Sequence, residues 1–200
     1  MNFLAHLYLS PADPDVMFGN FIADSVKGRA YDGFSPAVRI GIKLHRFIDV
    51  YTDSHAVPAQ SRVRLQPFVG KFAGVVADIA YDHFLAANWQ DYAKGSLAGF
   101  ARHCYHLVEQ RREFLPQRAA FVFGHMRAAD WLTNYARLDF LEKVFEGMSR
   151  RTPSGGLMLG SMEAIRAHYG ELEQEFRLFF PDLTKASGEY LQTDIPSSKA

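Results

Sequence analysis

His45, Asp49 and Asp53 are spaced four residues apart. A helix through them stacks one imidazole and two carboxylates on a single face. Gly41, Ile42 and Ile48 flank that stripe, so part of it faces a core, where such groups are costly unless something pairs with them. Asp78, Asp82 and His83 repeat the theme, with two acids at the same spacing and a histidine alongside; Asn20 and Asp24 repeat it again. Two acids four apart on one helix repel, so a positive group, either an arginine or a metal, belongs near them. Three polar pairs on apolar segments suggest one shared centre, and a divalent cation offsets the cost of several buried carboxylates at once. Each pair also has a plainer reading. His45 and Asp49 can form an intrahelical hydrogen bond, Asp24 can face solvent, and His6 can be a partly buried core histidine.

Positioning these groups requires helices. Asn2 to Ser10 can form a short one, with His6 near its apolar side. Asp13-Pro14 and Ser35-Pro36 each read as a cap followed by proline at the first helical position. The helix after Pro14 should carry Asn20 and Asp24 as far as Gly28, and the one after Pro36 should carry His45 and Asp49 to about Asp53. Pro67 to Trp89 is predicted as one helix holding Asp78 and Asp82, preceded by a short connector with Arg62 and Arg64. Further helices are expected over Leu97 to Leu115, Phe121 to Tyr135, Asp139 to Arg151 and Ser161 to Phe180. The stretch Thr152 to Gly156 reads as a loop, and Pro181 as the stop of the last helix. No strand alternation, repeat or linker is evident. The expectation is an all-α, single-domain helical bundle over residues 1–182, with 183–200 a flexible C-terminal tail.

Composition narrows the chemistry. An apolar fraction of 48% and zero formal charge describe a compact chain with no large nucleic-acid footprint. One cysteine, Cys104, rules out an intramolecular disulfide and a thiolate-rich zinc site, so any metal is held by oxygen and imidazole. No apolar run of membrane-spanning length occurs and Met1 to His6 lacks a basic leader, so the cytoplasm is the expected compartment. Between Lys94 and Arg127, six Lys and Arg face only Glu109 and Glu113. That segment reads either as helix solubility or as a docking surface for an acidic partner or phosphate.

Taken together, Asn2-Phe3-Leu4-Ala5-His6-Leu7, Gly19-Asn20 with Ala23-Asp24, His45-Arg46 with Ile48-Asp49 and Thr52-Asp53, and Asp82-His83-Phe84-Leu85 resemble the acyl carrier protein phosphodiesterases. Trp131-Leu132, Gly147-Met148, Arg150-Arg151 and Ala167-His168-Tyr169 continue the match in the same order. The resemblance implies an all-α, HD-phosphohydrolase-like fold and manganese-dependent hydrolysis of holo-acyl carrier protein to apo-protein and 4′-phosphopantetheine. Mg2+ or Fe2+ is the alternative ion. Asp24 matches the family's acid important for activity. The order Asp82-His83 reverses the usual HD pair. The ligand candidates under this resemblance are Asp24, His45, Asp49, Asp82 and His83, with His6 and Asp78 as further possibilities. Arg46 and Arg151 are candidates to neutralise charge on the reacting phosphoryl group. Carrier proteins of this type are acidic, which makes Arg102, Arg111, Arg112 and Arg151 candidates for docking. No nucleic-acid or membrane partner is expected. Two other readings stay open: a metal phosphohydrolase acting on a small nucleotide, and a non-catalytic helical binding module.

Overall fold

The structure, a computed structural model, describes residues 1–151 and 153–194. Among these residues there is no strand, and twelve α-helices form one all-α domain. The helices that build the candidate site are α1 (Phe3–Tyr8), α2 (Pro14–Ile22), α3 (Pro36–Ser54), α4 (Ala56–Val69) and α5 (Ala73–Ala87). After α6 (Trp89–Tyr92) come α7 (Leu97–Glu109), α8 (Gln117–Ala128), α9 (Trp131–Asn134) and α10 (Leu138–Ser149). The described residues end with α11 (Ser161–Ala167) and α12 (Tyr169–Asp194). The caps expected from sequence form: Asp13 accepts from the N–H groups of Asp15 and Val16, and Ser35 from that of Val38, each with proline next in the chain.

Apolar on nearly every side, α5 forms the centre of the core, with Val76, Ile79, Ala80, Tyr81, Phe84 and Leu85 at most 2% exposed. α2 and α3 cross so closely that neither can carry a side chain at the contact. A Cβ on Gly41 would lie 1.9 Å from the Val16 carbonyl oxygen, and one on Gly19 would lie 2.1 Å from that of Val38. This crossing sets the distance between Asn20 and His45. Gly41→Ala is expected to cost about 1–3 kcal/mol as the two helices move apart. Denaturant unfolding measures this, and unchanged stability would contradict the close crossing.

Several boundaries differ from the sequence-based expectation. α2 stops at Ile22, and Asp24 sits on a single 3₁₀ turn, Ala23–Ser25. The presumed connector with Arg62 and Arg64 is helix α4, and a positive φ of 56° at Gly70 separates it from α5. Pro181 does not end α12. Its ring lies on the exposed face, while Leu183 and Ser187 are buried and Tyr190 stacks on Phe47 of α3 at 4.4 Å. That packing outweighs the one backbone hydrogen bond that a proline forgoes. The tail expected from residue 183 is therefore helical as far as Asp194 and docked on the core as far as Leu191. Its remainder, 195–200, and Thr152 of the expected loop lie outside the described residues.

Candidate metal centre

Three elements converge on one point. His6 comes from α1, His45 and Asp49 from successive turns of α3, and Asp24 from the turn after α2. The Asp49 carboxylate lies between the two imidazoles, with Oδ1 3.1 Å from His6 Nε2 and Oδ2 3.3 Å from His45 Nε2. Asp24 Oδ1 is 3.4 Å from the same His45 Nε2. The two rings stack at 3.8 Å between centroids. One ligand atom from each of His6, His45 and Asp49 falls within a 4.8 Å set. Two imidazole nitrogens and two carboxylates fit a divalent first-row ion or magnesium.

Asn20 orients the His45 imidazole. His45 Nδ1 faces two acceptors, the Asn20 carbonyl oxygen at 2.9 Å and Oδ1 at 3.0 Å. Nδ1 must therefore donate, which leaves Nε2 as the ligating atom. The Asn20 amide nitrogen donates to the carbonyl oxygen of His6 and to Ser10 Oγ, tying α1 to α2. Sequence spacing pairs Asn20 with Asp24 as one more polar stripe, and nothing in the sequence marks it as the partner of His45. Asn20→Ala is expected to weaken metal binding by about 10–100-fold. Calorimetric titration reads this, and an unchanged Kd would remove Asn20 from the arrangement.

Asp82 and His83 are not part of this cluster, which corrects their place among the expected ligands. The Asp82 carboxylate is fully buried and caps α1, accepting from the N–H of Leu4 at 2.7 Å, Ala5 at 3.2 Å and Asn2 at 3.3 Å. Burial pushes its pKa up to about 7, against the pull of those donors and of the Met1 ammonium. His83 donates through Nδ1 to the Tyr135 carbonyl oxygen and accepts the Tyr169 hydroxyl proton at Nε2. With both ring nitrogens engaged, it has no lone pair to offer. Asp78 lines the same cleft as the cluster but pairs with the Met1 amine at 2.9 Å. Arg46 turns away, donating to the Val26 carbonyl oxygen at 2.8 Å and lying over the Tyr31 ring, so it has no route to a reacting phosphoryl group.

Proximity sets the protonation states. Burial pulls His45 down, but Asp24 and Asp49 together outweigh it and hold its pKa at about 9. Burial lowers His6 to about 4, helped by the neighbouring His45. On Asp49, burial acts upward, but the two imidazoles prevail and keep it well below the usual carboxylate range. His45, foremost among its contacts, also depresses Asp24. Both acids are thus anionic at neutral pH, while the His45 Nε2 proton competes with a metal. Lowering the pH strengthens that competition, so the Kd for a divalent ion is expected to rise about tenfold per unit from roughly pH 8 to 6. Titrations at several pH values check this slope, and a flat profile would exclude His45 Nε2 as a ligand.

The cluster lies in a cleft of about 830 Å³. Asp24, Asp49, Asp53 and Asp78 line it, together with Phe121, Trp131, Phe140 and Val144 and the basic residues Arg118, Lys143 and Arg151. Of the arginines expected to dock a partner, Arg151 alone lines this cleft. Arg111 pairs with Asp15 at 2.7 Å, Arg112 with Glu109 at 3.1 Å, and Arg102 is exposed on α7. No sequence signal singles out Lys143 or Arg118, because folding alone brings α8 and α10 to the mouth of this cleft.

No helix among the described residues is long and apolar enough to cross a membrane. No solved structure matches the chain. Relatives do. It is 34% identical to the acyl carrier protein phosphodiesterase of Photorhabdus laumondii over 182 residues, covering 90% of this chain and 92% of that one. The protein of the same name from Yersinia enterocolitica is also 34% identical, over 90% of this chain and 94% of its own length. That of Serratia proteamaculans is 33% identical over 92% and 95%. The sequence model of the acyl carrier protein phosphodiesterase family spans residues 1–183, so the chain belongs to that family.

Proposed function

We propose that this protein hydrolyses the phosphodiester joining 4′-phosphopantetheine to a serine of holo-acyl carrier protein, releasing the arm and apo-carrier. The observation that carries this reading is the His6, His45, Asp49 and Asp24 cluster inside a cleft, in a chain of this family. The cation is Mn2+, with Mg2+ or Fe2+ as alternatives, and when bound it supplies a water of lowered pKa and charge neutralisation on the phosphoryl oxygens. His6 offers a neutral nitrogen, His45 would offer Nε2 once a cation displaces its proton, and Asn20 fixes which atom of His45 faces the centre. Asp49 offers one oxygen toward each imidazole. Asp24 is the most exposed of the four and stays ionised, which suits it to accept a proton from the attacking water. Among the basic groups, Arg118, Lys143 and Arg151, and not Arg46, line the cleft, where they are available to hold the carrier protein. We place the reaction in the cytoplasm, a compartment that suits the single unpaired Cys104.

The test is mass-spectrometric detection of free 4′-phosphopantetheine and apo-carrier after incubation of holo-carrier with the protein and Mn2+. A panel of nucleotides runs in parallel. Release from the carrier and no nucleotide turnover is the expected result. Nucleotide turnover without phosphopantetheine release would overturn the assignment.

A further inference from the structure

The cleft mouth carries more than hydrolysis of a diester requires. On α8, Arg118, Phe121 and His125 follow one another at helical spacing, and all three are exposed. Phe121 is 67% exposed, with its ring against His125 at 4.6 Å. Lining the same cleft, Lys143, Gly147 and Arg151 form a second exposed row along α10 and just past its end. Among the described residues, none of these three cations is in an ion pair. Gly147 is the informative member. It lies inside a helix, where glycine is disfavoured relative to alanine. A Cβ there would meet no atom within 4 Å, so packing within the chain does not require it. What glycine does provide is room for an external backbone to approach α10 closely.

We propose that these two rows form a docking groove for an acidic helix of the protein substrate, with Gly147 as the point of closest approach and Phe121 as an apolar anchor. The inference rests on the reading that the substrate is a carrier protein. Charge complementarity selects the occupant: α8 and α10 bring three cations and an exposed aromatic to the cleft, whereas its four aspartates come from the Ala23–Ser25 turn, α3 and α5, and Arg and aromatic side chains dominate protein interfaces of this kind. The groove opens into the cleft that holds the metal cluster, so a helix seated there delivers the modified serine to the reacting centre. The arginine pairs at the end of α7 are already neutralised by Asp15 and Glu109 and play no part.

The experiment measures binding of fluorescently labelled apo-carrier to the full-length protein across a salt series, together with the KM and kcat for phosphopantetheine release. Arg118→Glu/Lys143→Glu/Arg151→Glu is expected to weaken binding at least tenfold and to flatten its salt dependence, with the loss in KM and little in kcat. Gly147→Gln is expected to raise Tm by about 2 °C and yet weaken binding, a combination that a purely structural glycine does not give. Arg111→Ala/Arg112→Ala should bind like the wild type. Unchanged affinity in the triple variant, or a loss confined to the Arg111 and Arg112 variant, overturns the groove. If the wild type releases no phosphopantetheine, the substrate assignment and the groove's occupant fall together. Release by the wild type with an unaltered KM in the triple variant sinks the groove alone.

Discussion

Replacing Asp49 with alanine is expected to lower phosphopantetheine release by at least about 10³-fold, or roughly 4 kcal/mol of transition-state stabilisation. The size follows from its position. Asp49 is the one carboxylate that reaches both imidazoles, with one oxygen toward His6 and the other toward His45. Without it, the stacked rings keep only Asp24 as an acidic partner, and the four-group set loses the member that joins α1 to α3. Stoichiometric metal binding at micromolar ion should disappear along with activity. The fold should remain, because Asp49 is only partly buried and its removal leaves room for water. Asp49→Asn is the sharper variant: it keeps shape and hydrogen-bonding capacity and removes the charge, so it separates electrostatic holding of a cation from packing. Metal content, circular dichroism and release of the arm, measured on both variants, decide the matter. An Asp49→Ala protein that retains one equivalent of metal and a rate within tenfold of the wild type would dissolve the proposed centre.

The second large effect is on stability. Asp82→Ala is expected to cost about 3–5 kcal/mol, because three N–H groups at the start of α1, two of them in fully buried bonds, lose their carboxylate acceptor. For a chain of this size that is a drop in Tm of about 10 °C or more. A weak cap lets α1 fray, and α1 carries His6, so metal affinity should fall as a consequence. The order of magnitudes discriminates the two roles. If Asp82 caps, Tm falls far more in Asp82→Ala than in Asp49→Ala. If Asp82 ligates, metal binding vanishes while Tm barely moves. Thermal unfolding in the presence of chelator isolates the structural part, since no metal then contributes to either variant.

These two aspartates show how far sequence reasoning reached. Helical period alone puts His45 and Asp49 on one face, and the cap-proline pairs locate the helices that carry Asn20 and His45. The all-α class follows from the same periodicity, and the chain's ordered motifs carry the family. Asp78 and Asp82 look the same by that criterion, as a second acid pair four apart with a histidine beside it, and both were expected near a metal. Yet the N-terminal helix meets them first: Asp82 is consumed by Asn2, Leu4 and Ala5, which lie some eighty residues earlier in the chain. His83 points the opposite way, into Tyr135 and Tyr169.

Local spacing determines which side chains share a helix face, because that depends only on 3.6 residues per turn. It holds no information on what that face meets, since partners come from the crossing of distant helices. Here the crossing is set by contacts such as Gly41 against Val16, which place Asn20 behind His45. Docking of α1 on α5 admits His6 to the centre and removes Asp82 from it. The sequence by itself therefore established the all-α class, the family and the His45–Asp49 face. Tertiary packing decided which acids are free to hold a cation, because the Asp82 carboxylate is buried against three backbone N–H groups at the start of α1 and does not line the cleft.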